Sequence, residues 1–231
     1  MRLDKFLSQH TEYSRSQIHQ LIKSSRVSVN DEIIRTPDFK LRGEEQVKLD
    51  EQLIEALGSR YLMLHKPEGY VCANTDSEHP VVLDLLDLPR KQDLQIAGRL
   101  DIDTTGLVLL TDDGQWNHRV TAPRQECAKT YLVTTADPID QSAIQLFAQG
   151  VQLKDEKNLT RPAQLELLDS HSARLTIHEG KYHQVKRMFA AIGNRVVKLH
   201  RESIGKIRLD PLLAPGKYRQ LTQEEIKDAV R

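Results

Sequence analysis

An α+β fold in two parts is what the sequence predicts, on three observations. Short β-branched or aliphatic runs outnumber helical ones, and the two kinds interleave irregularly rather than as repeated βαβ units. An acidic segment, 51–59, divides a small first pattern (1–50) from a longer second one (60–231). At 231 residues the chain has room for a small domain plus a medium one.

In the first part, Leu3, Phe6 and Leu7 stand at helical spacing and can share one buried face. After a break at 10–13, Ser14-Arg15-Ser16-Gln17 has the form of a capping box, and Ile18, Leu21 and Ile22 repeat the helical spacing. Val27 and Val29 alternate with polar residues, Asn30-Asp31 supplies a turn, Ile33-Ile34 follows, and Val47-Lys48-Leu49 offers a further strand. Segment 51–59 then reads as a linker.

The second part opens with a strand at Tyr61-Leu62-Met63-Leu64, halted at Lys66-Pro67-Glu68-Gly69. Leu107-Val108-Leu109-Leu110 is a strand ended by Asp112-Asp113-Gly114, and residues 116–120 start a helix stopped before Pro123. Strands are predicted at 131–134, 163–168, 173–177 and 196–199. Helices are predicted at 140–149, closed by Gly150, and at 183–192, closed by Gly193-Asn194. The sequence shows no internal repeat.

Composition excludes several classes. No apolar run approaches the roughly 20 residues that cross a bilayer, so no membrane partner is expected. The opening MRLDKFLSQH alternates charged and apolar residues, unlike a secretory signal. Cys72 and Cys127 are far apart and lack metal-ligand spacing, which fits free thiols in a reducing cytoplasm. The nine histidines form no HxH or HExxH pattern, so no metal is expected. Net charge is zero, but residues 174–208 carry nine Lys/Arg against two acids, a local excess of +7. Such a segment can present a phosphate-binding face or a solvated surface with intermixed counter-charges.

The most distinctive segment is Gly98-Arg99-Leu100-Asp101-Ile102-Asp103-Thr104-Thr105-Gly106-Leu107. A loop between two glycines, feeding directly into an apolar strand, can hold its acids at a cleft. It can equally cap itself through Asp and Thr side chains. This segment resembles the signature of the RsuA/RluA group of pseudouridine synthases, in which the aspartate of the GRLD element is catalytic. Three further elements fit the same group in order: Lys66-Pro67-Glu68-Gly69, Lys129-Thr130-Tyr131, and the run from Leu175 through His178-Glu179-Gly180-Lys181-Tyr182-His183-Gln184-Val185-Lys186-Arg187-Met188. The first fifty residues resemble an S4 domain, a small RNA-binding module. The likeness rests on the LDKFL opening, the Ser14-Arg15 helix start and Arg26-Val27-Ser28-Val29-Asn30.

The resemblance implies an S4-like domain followed by a catalytic domain built on a mainly antiparallel mixed sheet flanked by helices. It implies Asp101, Tyr131 and Lys186 as catalytic residues. Asp101 would act as nucleophile or proton carrier, Lys186 would hold it ionised and oriented, and Tyr131 would stack on the target base. Arg99 would fill the gap left by an extruded base or contact phosphate, its alternative being an ion pair with Asp101 or Asp103. Lys66-Pro67 reads as architectural, and Leu199 as core packing near the base. Arg2, Lys5, Arg15, Lys23, Lys181, Arg187, Arg195 and Arg201 are the expected RNA contacts. The partner implied for the RsuA branch is 16S rRNA or a small-subunit assembly intermediate, bound by a monomer. No cofactor is implied, because isomerisation needs neither a redox step nor a hydrolytic water.

Three readings compete with this one. A sister enzyme acting on 23S rRNA would share the layout. A non-catalytic S4-type assembly protein would tolerate loss of Asp101. A glycosidase using Asp101 and Asp103 as an acid pair would release the base rather than reattach it.

Overall fold

The computed structural model describes residues 1–54, 58–122 and 126–229. They fall into two compact units, Met1–Gly58 and Ser59–Arg231.

The first unit runs α1 (Leu3–His10), α2 (Arg15–Lys23), β1 (Val27–Val29), β2 (Glu32–Ile33), β3 (Val47–Leu49) and β4 (Gln52–Leu53). Its strands form an antiparallel sheet in the order β2-β1-β3-β4. The helical triplets Leu3/Phe6/Leu7 and Ile18/Leu21/Ile22 are buried and pack with Val27, Val29, Val47 and Leu49 in one core. Ser14 accepts from the Gln17 amide while the Gln17 side chain accepts from the Ser14 amide, completing the capping box. Asn30 and Asp31 both have positive φ, the backbone that a two-residue hairpin with matched strand twist requires. The segment read as a linker begins inside this unit: Leu53 pairs with Lys48 in the sheet, and Ile54 packs on the core. Its alternating Gln52-Leu53-Ile54 extends the sheet despite the acids around it. Glu55 lies outside the described residues, as does the helix stop expected at Pro123.

The second unit contains β5 (Tyr61–Lys66), β6 (Gln95–Ala97), β7 (Thr105–Thr111), α3 (Gly114–Thr121), β8 (Lys129–Thr135), α4 (Ser142–Gln149), β9 (Gln164–Leu167), β10 (Ser172–Ile177), α5 (Gln184–Ala191), β11 (Val196–Ile204), β12 (Ile207–Arg208), β13 (Tyr218–Gln220) and α6 (Gln223–Asp228). Nine strands form one sheet in the order β13-β5-β7-β11-β8-β10-β9, with β6 added on β7 and β12 on β11. Among the described strands only β7 and β11 pair in parallel, so the sheet is mixed and mainly antiparallel, as expected.

The unbroken apolar runs of β5 and β7 have a simple cause. Leu62, Leu64, Val108 and Leu110 face the larger core, which includes Phe147 of α4 and Phe189 of α5. Met63, Leu107 and Leu109 face a second core around Trp116 of α3. Strands covered on both faces need apolar residues at every position. Strand β8 is covered differently: Tyr131 and Val133 are buried, while Lys129, Thr130, Leu132 and Thr134 are partly exposed.

Strands β6, β12 and β13 and helix α6 have no counterpart among the predicted elements; each is too short or too polar to carry a period. Among the described residues no helix is long and apolar enough to cross a membrane. Both cysteines are free, Cys72 buried and Cys127 half-buried.

Candidate active site

The loop between β6 and β7 carries Asp101, and two buried cations beneath it set its path. Lys66 ends β5 fully buried, and its ammonium donates to the carbonyls of Pro67 (3.0 Å), Ile102 (3.2 Å) and Thr104 (2.7 Å). An ammonium has three donors, and all three are used. Burial still pushes Lys66 below its usual range, with nearby carboxylates opposing. The glycine of the same turn joins in, the Gly69 amide donating to Ile102 O at 2.9 Å. This is the architectural role expected of Lys66-Pro67.

Arg201, on β11, is the second cation. It is 1% exposed, and its guanidinium donates to Leu107 O (2.8 Å), Gly98 O (2.6 Å) and Arg99 O (3.3 Å). The expectation that Arg201 contacts RNA is therefore corrected: it is a clamp on the main chain at both ends of the Asp101 loop. The β7–β11 pairing that places it sets Arg201 opposite Gly106. A Cβ on Gly106 would lie 2.3 Å from Arg201 O, at φ +108°, so only glycine fits there.

Helix α5 brings the basic side of the site. Lys186 Nζ lies 2.6 Å from Asp103 Oδ1 and 3.3 Å from Asp101 Oδ2. Lys186 thus reaches Asp101 as expected, but its shorter contact is with Asp103. Burial opposes ionisation of Asp103, yet the hydrogen bond and charge of Lys186 outweigh it and hold that carboxyl below its usual range. Burial likewise pulls Lys186 down, and the two carboxylates raise it on balance.

His183 was not singled out from the sequence. Its Nε2 is 3.4 Å from Asp101 Oδ1. It occupies the N-cap of α5 with a left-handed backbone, φ 47° and ψ 36°, uncommon for a non-glycine residue. Its position inside the Lys181–Lys186 run is the signal the sequence offers; metal-ligand spacing, which the histidines lack, does not reveal it.

A cleft of about 510 Å³ opens beside Asp101. Tyr131, Arg99, Leu100, Lys129, Leu199 and Thr104 line it, together with the stretch 177–185. Tyr131 is 7% exposed, on the strand adjacent to Arg201, whose guanidinium carbon is 6.0 Å from the ring centroid. Leu199 is buried in the large core as well as lining the cleft. Arg99 is exposed at the cleft, and the carboxylates of Asp101 and Asp103 turn to His183 and Lys186 instead of to it. The Thr104 hydroxyl is buried without a hydrogen-bond partner among the described residues, beneath the same cleft. Among the described residues no three or more His, Cys, Asp or Glu side chains are placed to hold a metal.

The basic segment 174–208 is less open than its +7 count implies. Arg174 pairs with Glu202 (2.7 Å) and Glu166 (3.1 Å), while Lys181 (2.8 Å) and Arg187 (3.2 Å) share Glu156. Arg195 remains exposed. In the first unit, Arg2 (2.8 Å), Arg15 (3.7 Å) and His19 (3.1 Å) gather on the fully buried carboxylate of Asp4. Arg2 and Arg15 keep 50% and 68% of their side chains exposed, and Lys5 and Lys23 are exposed outright.

Known proteins share this architecture. The profile of the RNA pseudouridylate synthase family matches residues 60–191, and that of the S4 domain matches residues 1–47. "Ribosomal small subunit pseudouridine synthase A" of Escherichia coli (strain K12) is 56% identical over 231 residues, 100% of both chains. The protein of the same name in Yersinia pestis is 56% identical over 227 residues, 98% of this chain and 97% of that one. A crystal structure described as a pseudouridylate synthase superposes with a TM-score of 0.73 at 48% identity, covering 100% of both chains. With a family match over more than half of its length and full-length relatives above 50% identity, the chain belongs to the RNA pseudouridylate synthases, its catalytic domain preceded in sequence by an S4 domain.

Proposed function

We propose that the protein converts one specific uridine of 16S rRNA to pseudouridine, on the RNA itself or on a small-subunit assembly intermediate, as a cytoplasmic monomer. The substrate reading is supported by full-length relatives whose names specify the ribosomal small subunit. The observation that carries the chemistry is the Asp101 carboxylate, partly exposed in a cleft with Lys186 and His183 at 3.3 and 3.4 Å.

Pseudouridine formation breaks the N1–C1′ bond, turns the base and joins C5 to C1′; C5 gives up its hydrogen as a proton and N1 takes one up, so the product is an isomer. Asp101 acts as nucleophile at the sugar or base, or as the group that carries the proton. Lys186 orients it through an ion pair at 3.3 Å, and Asp103, at 2.6 Å, steadies Lys186. Tyr131 offers its ring to the base from the cleft wall, and Arg99 occupies the space that the extruded nucleotide vacates. No oxidant, reductant or cofactor enters this sequence. Arg2, Lys5, Arg15 and Lys23 of the S4 domain contact phosphates.

The test is pseudouridine mapping of both large rRNAs from a strain lacking the gene, complemented with wild type or Asp101→Asn. One 16S site should vanish, return with wild type and stay absent with the variant. A site lost only from 23S rRNA would move the substrate to the large subunit, and no lost site would end the reading.

A further inference from the structure

We propose that Tyr182 is a stacking platform for a nucleotide adjacent to the target uridine, so that the cleft holds a neighbouring base as well as the one it isomerises. The inference rests on the RNA-modifying reading above and adds a second contact to it.

Tyr182 is 75% exposed, at the rim of a cleft whose other aromatic, Tyr131, is 7% exposed. Its ring stacks on His183 with centroids 3.8 Å apart and planes 21° apart. His183 in turn reaches Asp101 through Nε2 at 3.4 Å. Carboxylate, imidazole and phenol are thus in successive contact. The imidazole covers one face of the phenol, and most of the side chain is open to solvent.

Single exposed apolar side chains are common and carry no meaning alone. Tyr182 differs in place and in rigidity. Its carbonyl accepts from Arg187 Nη1 at 3.1 Å. On its N-terminal side, the Lys181 amide donates to Gln184 Oε1 (2.8 Å) and the Lys181 ammonium pairs with Glu156 (2.8 Å). Gln184, 4% exposed, donates onward to Glu179 at 2.7 Å. The segment is therefore fixed before any ligand arrives, so little freedom is lost when a ring lands on the tyrosine.

A nucleobase is the ligand this geometry suits. Extruding a uridine from folded RNA leaves its neighbours without a stacking partner, and aromatic side chains replace such partners for any base. A base on the open face of Tyr182 lies two ring spacings from His183, whose Nε2 contacts Asp101, where the target stands. That separation suits a nucleotide next to the target on the same strand.

The experiment uses the full-length protein with Tyr182→Ala, Tyr182→Leu, Tyr182→Phe and Tyr182→Trp, assayed for pseudouridine formed in small-subunit rRNA. Phe and Trp should keep KM near the wild-type value. Ala and Leu should raise KM by about tenfold or more, with kcat within about threefold. The indole introduced by Tyr182→Trp should lose fluorescence on RNA addition. A wild-type KM for Tyr182→Ala, or full rescue by Leu, overturns the platform, since a merely shielding side chain need not be flat. A fall in kcat at constant KM also overturns it, by showing that Tyr182 acts on Asp101 through His183. If wild type itself makes no pseudouridine in either rRNA, the enzymatic reading fails along with the platform, a result separable from all the others.

Discussion

Lys186 stands closer to Asp103, at 2.6 Å, than to Asp101, at 3.3 Å. The two carboxylates therefore divide its ammonium unequally. Asp103, 54% exposed, takes the stronger hydrogen bond and pins the lysine; Asp101, 28% exposed, keeps lone pairs free toward the cleft. A carboxylate with few hydrogen bonds to the protein is what a nucleophile or proton carrier requires.

The first prediction follows from that inequality. Asp101→Asn keeps size and removes the charge, so conversion should fall at least about a thousandfold while folding and RNA binding persist. Lys186→Met should resemble it, since both carboxylates then repel each other without a counter-ion. Asp103→Asn should cost far less, about tenfold, because Lys186 can then turn wholly to Asp101. Pseudouridine yield and RNA affinity, measured side by side, check all three. An active Asp101→Asn beside an inactive Asp103→Asn would mean that the wrong acid has been named.

The second prediction concerns Arg201. Arg201→Met leaves the carbonyls of Gly98, Arg99 and Leu107 without their donor, at about 3 kcal/mol in stability. Turnover should fall at least tenfold, because those carbonyls belong to the strand ends that carry Asp101. RNA affinity should change little, as a residue 1% exposed offers nothing to phosphate. Thermal unfolding, turnover and affinity together separate this outcome from loss of a phosphate contact, which would lower affinity alone. Gly106→Ala, pressing on Arg201 O from the neighbouring strand, should give the same pattern.

Much of this was legible in the chain. The capping box at Ser14, the alternation of Val27 and Val29, and the four-residue run from Leu107 state their geometry locally, because each obeys a short period. The Asp101 loop was legible through its motif. Arg201 was not: an arginine between His200 and Glu202 reads as surface, and only pairing with a strand nearly a hundred positions away buries it. The ion pairs that cap Arg174, Lys181 and Arg187 fail to show for the same reason. Glu156, which holds Lys181 and Arg187, and Glu166, the second partner of Arg174, lie outside segment 174–208. Charge counted along a chain misses neutralisation by residues distant in sequence.

The third prediction uses Asp4. Burial pushes this carboxyl up, but hydrogen bonds from Arg2, His19 and the Lys5 amide overcome it and hold the group at about 2, against an ordinary 3.8. A depressed carboxylate stabilises the fold above its unfolded value. Its contribution is complete above about pH 5 and lost as pH falls through 3.8 toward 2. The S4 domain should therefore weaken in that window, seen as faster hydrogen exchange of the α1 amides. Asp4→Asn should lose about 2 kcal/mol at neutral pH and flatten the acid response. An unchanged acid profile would detach Asp4 from the stability of the domain.

The last prediction turns on which cations are free. RNA affinity should fall as salt rises, with a slope set by the number of phosphates neutralised. Arg174, Lys181 and Arg187 already hold acidic partners, so little counterion release is left to them. Arg195 is exposed, and Arg15 keeps 68% of its side chain in solvent, 3.7 Å from Asp4. Replacing Arg195 or Arg15 by Gln should each lower the salt slope by about 1. Arg174→Gln should leave it nearly unchanged, despite removing the same charge. The measurement is the slope of log affinity against log salt for small-subunit rRNA. Equal losses at all three positions would show that the internal ion pairs open on binding. A slope near zero in wild type would remove phosphate contact as the source of affinity.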